Sequence, residues 1–289
     1  MGGIFDKLTE YIKEILIGII EGNLTNMFTD VNEKVGTIAI EVGKTPQGWN
    51  NSIFNMIRSL SETVIIPIAG IVITFVLCYE LISMLIDRNN LHDVDTWMFF
   101  KWIFKSIVAI YLVTHTFDII MATFDVAQNM VSSAAGVIDV EANIDISSSV
   151  LSMVEVLEDR SVAELIGISL ETTAVKFCMD ALSIIITVIL YGRMIEIYLV
   201  SSVGPVPLAT MTNREWGQVG NNYLRSLIAL GFQGFFIMVC VGIYAVLVKT
   251  ITVTDNIHAS IFMILSYTVL LAFSLFKTGS VAKSVLNAH

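Results

Sequence analysis

The sequence is poor in charged residues and in proline, and this scarcity limits the kind of protein that it can encode. Only 15% of the 289 residues are charged and only four are prolines, whereas 55% are hydrophobic. The mean hydropathy of +0.77 is far above that of a water-soluble domain of this size. Long apolar stretches with few breaking residues predict helices that cross a lipid bilayer.

Residues that usually carry catalysis or bind metals are also scarce. The chain has three cysteines and four histidines, without the paired spacing of zinc or redox motifs. Phosphate-binding loops, zinc-protease helices and nucleophile elbows are absent. We therefore expect a non-enzymatic protein with no catalytic residue, cofactor or metal, and we interpret Cys78, Cys178 and Cys240 as buried packing thiols.

Five apolar stretches are long enough to cross a bilayer, which takes about 20 helical residues. We place the spans at residues 63 to 86, 102 to 124, 177 to 200, 224 to 248 and 257 to 276, with Pro67 in the first turn of the first span. The fold class that follows is all-α, a polytopic membrane protein with five transmembrane helices. The chain then divides into an N-terminal segment 1 to 62, two spans in 63 to 124, a loop 125 to 176, three spans in 177 to 276 and a tail 277 to 289.

The N-terminal segment predicts a helix with two unlike faces. Between residues 4 and 20, apolar side chains recur at helical spacing, and the charged residues lie on the opposite side. Such a helix either lies in the bilayer interface or packs on protein, and the sequence leaves both open. Residues 23 to 62 are mixed in polarity, with a turn at residues 45 to 48.

Capping patterns and prolines predict where the later helices begin and end. Ser161 and Glu164 form a capping box, and the helix that it opens continues into the third span without a breaking residue. Thr212 and Glu215 repeat this pattern before the fourth span. Proline lacks an amide donor and restricts the residue before it, so three residues between the boxes end the third-span helix: Gly204, Pro205 and Pro207.

A few ionisable residues fall inside or beside the predicted spans, where side chains of this kind rarely face lipid. The candidates for a pore lining or a polar contact between helices are Glu80, His115, Asp118 and Asp125. The last three lie on one side of an ideal helix. Alternatively, the second span ends near Val113, and these three residues lie in the hydrated interface. The alternative is favoured because the two aspartates are close to the predicted outer boundary.

Two further sets of residues are predicted to be structural. Arg193 and Glu196, three residues apart on the third-span helix, can form an ion pair. In the fourth span, small residues share one face and allow another helix to approach closely: Gly231, Gly234, Gly242 and Ala245. Close packing is the simpler interpretation of this face, and a glycine hinge is the alternative.

The distribution of lysine and arginine predicts the orientation in the membrane, because basic residues resist translocation. Eight of them lie in the connections 87 to 105 and 193 to 225 and in the tail, against three near span ends on the opposite side. The N-terminus is then outside and the C-terminus cytoplasmic. Residues 125 to 176 lie outside, and their nine carboxylates against two basic residues should repel DNA, so we expect a protein partner there.

With these features the chain resembles the TrbL family of conjugal-transfer membrane proteins, the sixth VirB-type component of type IV secretion systems. The resemblance covers about residues 55 to 280 and rests on the topology, on residues 202 to 208 (Ser-Val-Gly-Pro-Val-Pro-Leu) and on residues 231 to 234 (Gly-Phe-Gln-Gly). It implies a non-enzymatic, homo-oligomeric channel subunit in the bacterial cytoplasmic membrane. It also implies contacts with the lipid bilayer, with other channel subunits and with secretion ATPases. DNA would contact the protein only while it is being transported.

Two other classes of protein share parts of this pattern. A small-molecule or ion transporter with a midplane polar site predicts internal repeats, and the spans show no convincing pairing of length or motif. A holin-like pore former would explain the N-terminal amphipathic helix but not the long outer segment. The channel subunit is therefore the predicted function.

Overall fold

The computed structural model describes residues 2–86, 96–142, 146–251 and 257–288, and within these ranges it contains helices and no strand. The prediction of an all-α fold is confirmed. Five helical stretches in the described ranges are long and apolar enough to cross a membrane, which is the predicted number. They are Asn51–Ile86, Thr96–Thr114, Val162–Val203, Gly217–Lys249 and Ile257–Val285.

The helices follow one another with short connections in the part of the chain that the structure covers. In order they are α1 (Gly2–Val42), α2 (Pro46–Trp49), α3 (Asn51–Leu60), α4 (Ile66–Ile86), α5 (Thr96–Thr114), α6 (Thr116–Ala142), α7 (Ile146–Glu158), α8 (Val162–Val203), α9 (Pro205–Thr210), α10 (Gly217–Lys249) and α11 (Ile257–Val285). A π-helical turn, Ser61–Ile65, joins α3 to α4.

The chain forms two compact units, each built from separated parts of the sequence. The first comprises Met1–Val42, Val131–Leu190 and Phe236–Lys277, and the second comprises Gly43–Met130, Tyr191–Phe235 and Thr278–His289. The core of the first unit gathers buried apolar side chains from six helices, among them Leu24, Val131, Met153, Leu165, Val241 and Ile264. The second unit has one core around Phe54, Phe117 and Ile197 and another around Ile73, Ala109 and Ala209.

Helix α1 runs to Val42, well beyond residue 20, where the predicted amphipathic helix ends. Its second half places Leu24, Met27, Phe28 and Val31 at helical spacing, and all four are buried in the core of the first unit. No proline occurs before Pro46, so no residue of this type interrupts the helix. The mixed polarity of this segment therefore reflects a helix with one buried side.

The helix that contains the first span is continuous from Asn51 to Ile86, but it widens at the π-helical turn. There the Ile66 amide donates to the carbonyl of Ser61, five residues back. Pro67 explains the wider turn, because it has no amide hydrogen and its ring presses against the preceding turn. Pro67 lies in the first turn of α4, as predicted, although the continuous helical stretch begins earlier, at Asn51.

The stretch predicted as the second span, residues 102 to 124, is divided in the structure. Helix α5 ends at Thr114, His115 lies in a turn, and α6 begins at Thr116. The Thr114 hydroxyl donates to the carbonyl of Ile110 at 2.9 Å, and the Thr116 hydroxyl donates to that of Leu112 at 2.8 Å. Side-chain bonds of this kind compete with the helical ladder and favour a bend. Of these two helices, α5 is the candidate span.

The capping box at the start of α8 is confirmed. The Ser161 amide donates to Glu164 Oε2 over 2.9 Å, and the Glu164 amide donates to Ser161 Oγ over 3.4 Å. Helix α8 then runs for 42 residues. At 1.5 Å per residue this is about 63 Å, roughly twice the ~30 Å thickness of the bilayer core. As predicted, the helix ends before Gly204, and Pro205 opens the short helix α9.

The predicted capping box at Thr212 and Glu215 was wrong. Helix α10 begins later, at Gly217, and the preceding turn is held by Asn213, whose Oδ1 accepts from the amides of Glu215 and Trp216 at 2.7 and 3.1 Å. The Glu215 carboxylate instead accepts from the Tyr79 hydroxyl at 2.9 Å. The short asparagine side chain bonds the amides two and three residues ahead, which selects a turn rather than a helix start.

Two segments that the sequence places outside the membrane are largely helical. Within residues 125 to 176, α6 reaches Ala142, α7 covers Ile146–Glu158 and α8 starts at Val162. The predicted tail is also partly helical, because α11 continues to Val285. In their described parts, these two segments are therefore built mainly from helix rather than from irregular loop.

The interpretation of all three cysteines as buried packing thiols was wrong. Cys78 and Cys178 are exposed on the surface of their helices, and Cys240 is half-buried. Lipid tails are as apolar as a protein core, so an apolar stretch in a span does not show which side chains face protein. Hydrophobic neighbours are therefore weak evidence for burial in this chain.

Candidate functional site

The four ionisable residues predicted to lie in or near spans occupy different settings in the second unit. Glu80 is on α4, His115 is in the turn between α5 and α6, and Asp118 and Asp125 are on α6. No hydrogen bond or ion pair joins any two of these four described side chains. The structure therefore does not assemble them into one polar site.

Glu80 is the most enclosed of the four. Its side chain is only 16% exposed, and Oε1 pairs with Nζ of Lys105 on α5. Its other oxygen, Oε2, is buried without a hydrogen-bond partner. Because the ammonium balances the carboxylate charge, this pair stabilises the contact between two predicted spans. The sequence identified Glu80 as a candidate but did not predict its lysine partner.

A polar cavity of about 550 Å³ lies beside Glu80. It is lined by Tyr79, Glu80, Ser83, Met84, Asn213, Arg214 and Glu215. Trp216 stacks on Phe75 and Tyr79 next to this lining, with ring centroids 5.4 and 5.2 Å apart. Sequence reasoning missed this cavity, because its walls come from segments more than 120 residues apart.

His115 and the two aspartates do not form a relay. The His115 ring stacks on Tyr111 with centroids 4.3 Å apart, and its Nδ1 lies 3.0 Å from the Thr114 hydroxyl. Asp118 pairs instead with Arg58 of α3, at 3.1 Å, and Asp125 is exposed. All three side chains are exposed, but His115 and Asp118 contact different residues.

Arg58 joins two helices of the second unit, a role that the sequence did not reveal. Its guanidinium pairs with Glu62 at 2.8 Å and with Asp118 at 3.1 Å, and it lies 5.9 Å from the ring centroid of Phe117. The spacing of four residues between Arg58 and Glu62 predicts the first pair. No local pattern predicts the second, because Asp118 is 60 residues away.

Arg193 and Glu196, the predicted ion pair, have different partners in the structure. The Arg193 side chain is buried, and Nη2 donates to the carbonyl of Leu230 on α10 over 3.4 Å, whereas Nε has no partner. Glu196 pairs with Lys283 of α11 at 2.9 Å. The two residues therefore stabilise contacts from α8 to two different helices.

Helix α6 packs against the small-residue face of α10 within each unit. In the second unit, a Cβ on Gly231 would lie 3.0 Å from Cβ of Ala127. In the first unit, a Cβ on Gly242 would lie 3.0 Å from Cγ1 of Ile138. Gly234 and Ala245 are buried on the same helix. Both contacts are close enough that a larger residue would require the neighbouring side chain or its helix to shift.

The break between α8 and α10 is tightly packed around Gly204. A Cβ there would lie 2.5 Å from Cδ1 of Ile120 and 2.6 Å from the hydroxyl oxygen of Tyr223. That hydroxyl donates to the carbonyl of Val200 over 3.0 Å, so a carbonyl in the last turn of α8 has a hydrogen-bond donor. Gly204 therefore allows a close approach in addition to ending the helix with Pro205 and Pro207.

A buried lysine in the first unit was not identified from the sequence. Lys34 of α1 is only 6% exposed, and its Nζ donates to the carbonyl of Met179 on α8 over 3.4 Å. Burial lowers the pKa of Lys34, while the carboxylates of Asp30 and Asp180 act in the opposite direction. Burial also raises the pKa of Asp30. Sequence analysis did not identify Lys34 because the mixed polarity of residues 23 to 62 predicted a segment outside the membrane and not a buried helix.

Metal binding finds no support in the ranges that the structure covers. There, no group of three histidine, cysteine, aspartate or glutamate side chains is placed to hold a metal ion. Two of the four histidines, His92 and His289, lie outside these ranges.

One protein-family model matches the chain over residues 31–205, and its description is TrbL/VirB6 plasmid conjugal transfer like protein. The matched region is more than half of the chain and contains the first three candidate spans and Gly204. No curated protein and no solved structure matches the chain. The family match confirms the resemblance, and this chain belongs to the TrbL/VirB6 family of plasmid conjugal transfer proteins.

Proposed function

We propose that this protein is a non-enzymatic channel or scaffold subunit of the cytoplasmic-membrane translocation complex of a conjugative type IV secretion system. Family membership is the observation that carries the proposal. The five candidate spans agree with a subunit that resides in the membrane, and the small-residue contacts of α10 agree with close helix packing. In this role the protein assembles as a homo-oligomer with other channel subunits, and ATP hydrolysis belongs to partner ATPases.

The ion pairs of the second unit support a structural role. The Glu80–Lys105, Arg58–Asp118 and Glu196–Lys283 pairs each join two helices. A proton-coupled transporter needs an ionisable group that gains and loses its proton during the cycle. In this chain the three carboxylates instead occupy contacts between helices, where each pairs with a lysine or arginine. These pairs therefore suit a scaffold better than a pump.

Outside the membrane, the acidic segment of residues 125 to 176 serves in this proposal as a docking site for another protein of the complex. Helix α7 presents the exposed carboxylates of Glu155 and Glu158, and the turn after it presents that of Asp159, while Met153 and Leu157 are buried in the core of the first unit. Carboxylates repel the phosphate backbone, so DNA passes this subunit only in transit. The exposed acidic side is thus available to a basic surface of a partner.

Charge reversal on α7 tests this docking role without removing core residues. The triple variant Glu155→Lys, Glu158→Lys and Asp159→Lys should lower conjugative transfer roughly tenfold or more, because complementary charges become like charges. The matched control reverses Asp6, Glu10 and Glu14 on α1, which are also exposed, and should leave transfer near the wild-type level. Both variants are compared at equal amounts of membrane-inserted protein. Equal effects of the two triples would contradict a specific docking surface.

The alternative function is a small-molecule or ion transporter with its site at the Glu80 cavity. The cavity volume of about 550 Å³ and the unpartnered Glu80 Oε2 are the observations that favour it. Under the channel proposal, Glu80→Gln and His115→Ala leave DNA transfer within a small factor of wild type, with protein level measured in parallel. Abolished activity in Glu80→Gln at a normal protein level, together with a tolerated α7 triple, would favour the transporter.

A further inference from the structure

The first half of α1 carries an apolar stripe that its own chain leaves uncovered. The members are between 37% and 68% exposed, whereas Leu24 and Met27 in the second half of the helix are fully buried. The stripe consists of Phe5, Leu8, Ile12, Ile15 and Ile19, and the exposed ring of Tyr11 flanks it. We call these residues the N-terminal seam. Large apolar side chains gathered on one exposed side indicate a surface that another molecule covers.

The spacing of the N-terminal seam is that of a coiled coil. Its members are separated by three, four, three and four residues, an average of 3.5, which places them at positions a and d of a heptad. An amphipathic helix on a lipid surface shows the same spacing over two heptads. The spacing therefore admits another helix that runs alongside α1, and the charges beside the seam select it over lipid.

The charges of this segment narrow the choice of partner. Residues 5 to 21 contain six charged side chains, and all of them fall at positions b, c or f, away from the seam: Asp6, Lys7, Glu10, Lys13, Glu14 and Glu21. The flanking positions e and g hold the uncharged residues Thr9, Tyr11, Leu16 and Gly18. A different helix is normally selected through charges at e and g, which this seam lacks. In a pair of identical helices, therefore, no like charges face each other at positions e and g.

The same residues argue against the bilayer as the covering surface. Four acidic residues stand against two lysines between residues 5 and 21. Helices that lie on membranes usually carry lysine and arginine, because the lipid surface is anionic. The net negative charge of this segment therefore opposes binding to such a surface.

We propose that residues 5 to 19 of α1 pack in parallel against the same residues of a second copy of this chain. Helix α1 runs alongside α8, a candidate span, because Asn23 bonds Thr172 and Lys34 bonds the carbonyl of Met179. Copies related by rotation about the membrane normal therefore point their α1 helices in the same direction, and the arrangement is parallel. Two heptads alone are too short to hold free chains together. Copies that share a membrane through their spans meet at a high effective concentration, which makes a short seam sufficient. The contact goes beyond the channel role and does not depend on the transported molecule.

Cysteine cross-linking in membranes tests the seam with the full-length protein. In a background where Cys78, Cys178 and Cys240 are replaced by serine, Ile12→Cys and Ile15→Cys report on positions a and d. Glu10→Cys, at position f, is the matched control. After mild oxidation we expect a disulfide-linked species of twice the chain mass for the two seam variants and monomer for the control. Single cysteines at exposed helical positions disturb folding little, so the comparison does not depend on a damaged protein.

Several outcomes would overturn the proposal. They are cross-linking of Glu10→Cys to the same extent, absence of the doubled species from both seam variants, and linkage of the seam to a different protein identified by mass. Absence of linkage combined with protection of Ile12→Cys from a water-soluble thiol reagent would assign the seam to lipid. The readout is the disulfide and not DNA transfer, so a result that refutes the channel function in the transfer experiments would leave the seam intact.

Discussion

At the scale of single residues, Lys34 is a charged side chain that the fold buries. Its ammonium group is enclosed in the first unit and bonds a backbone carbonyl rather than a carboxylate. The aliphatic part of lysine packs readily in an apolar environment, but the charged head loses its hydration there. The folded state therefore disfavours the charged form of Lys34, which is the physical reason for its lowered pKa.

This burial predicts a dependence of stability on pH. Between the lowered pKa of Lys34 and its ordinary value of 10.5, the folded protein binds fewer protons than the unfolded protein. The free energy of unfolding therefore gains a contribution that rises with pH in this window. We expect the Tm of the wild type, measured in detergent from neutral pH to 10.5, to rise relative to that of Lys34→Met. Lys7→Met, at an exposed position, should follow the wild type. Parallel curves for wild type and Lys34→Met would disprove the effect.

Which partners the charged residues have could be predicted from the sequence only in part. Arg58 and Glu62, four residues apart on one helix, follow the local rule. Arg193 does not, because it donates to the carbonyl of Leu230, and a backbone carbonyl leaves no mark in the sequence. Glu196 then pairs with Lys283, which is 87 residues away. Spacing along one helix identifies a possible pair, but contacts between helices decide the actual one.

At the scale of elements, the connection from α8 to α10 is the most tightly packed part of the second unit. Besides Gly204, it contains Gly220, where a Cβ would lie 2.1 Å from Cγ of Met211 and 2.6 Å from the carbonyl oxygen of Pro207. A flexible methionine side chain can move aside. A backbone oxygen cannot do so without displacing α9, so Gly220 is required by the close approach of two helices.

We therefore expect Gly220→Ala to destabilise the protein by about 1–3 kcal/mol, the usual cost of excess volume in a packed site. The matched control is Gly192→Ala on α8, where no atom lies within 4 Å of the new Cβ. Because alanine favours helix more than glycine does, this control should be neutral or gain up to about 1 kcal/mol. Thermal unfolding of the purified variants in detergent checks both. A Gly220→Ala variant as stable as Gly192→Ala would show that the close contact is absent.

Much of the helix content could be predicted from the sequence, while helix lengths could not. Five apolar stretches and the prolines of the loop at Gly204 were sufficient to predict the candidate spans and the end of α8. The extension of α1 to Val42 depends on a buried face against other helices of the first unit, which local polarity does not show. The break at His115 depends on threonine hydroxyls that bond the preceding turn. Boundaries therefore follow tertiary and side-chain contacts more than periodicity.

At the scale of the whole molecule, many large apolar side chains of the candidate spans point outward. Phe104, Ile184, Leu199, Phe273 and Phe276 are each more than 60% exposed. Exposed apolar residues in such numbers would drive aggregation in water, but lipid tails solvate them. The outward apolar surface and the family together identify a multi-pass membrane protein. The side of the membrane on which each terminus lies is a prediction from the distribution of charge.

The orientation is predicted by the lysine and arginine count, eight against three, which favours a cytoplasmic C-terminus and an outer position for α7. Glu155 on α7 and Asn287 near the C-terminus are both exposed, so a cysteine at either position is open to a reagent. In a background without the three native cysteines, a membrane-impermeant maleimide applied to intact cells should label Glu155→Cys and spare Asn287→Cys. Labelling of both after permeabilisation provides the control for accessibility. If intact cells instead label Asn287→Cys and spare Glu155→Cys, the acidic side of α7 faces the cytoplasm, and its proposed partner must be sought there.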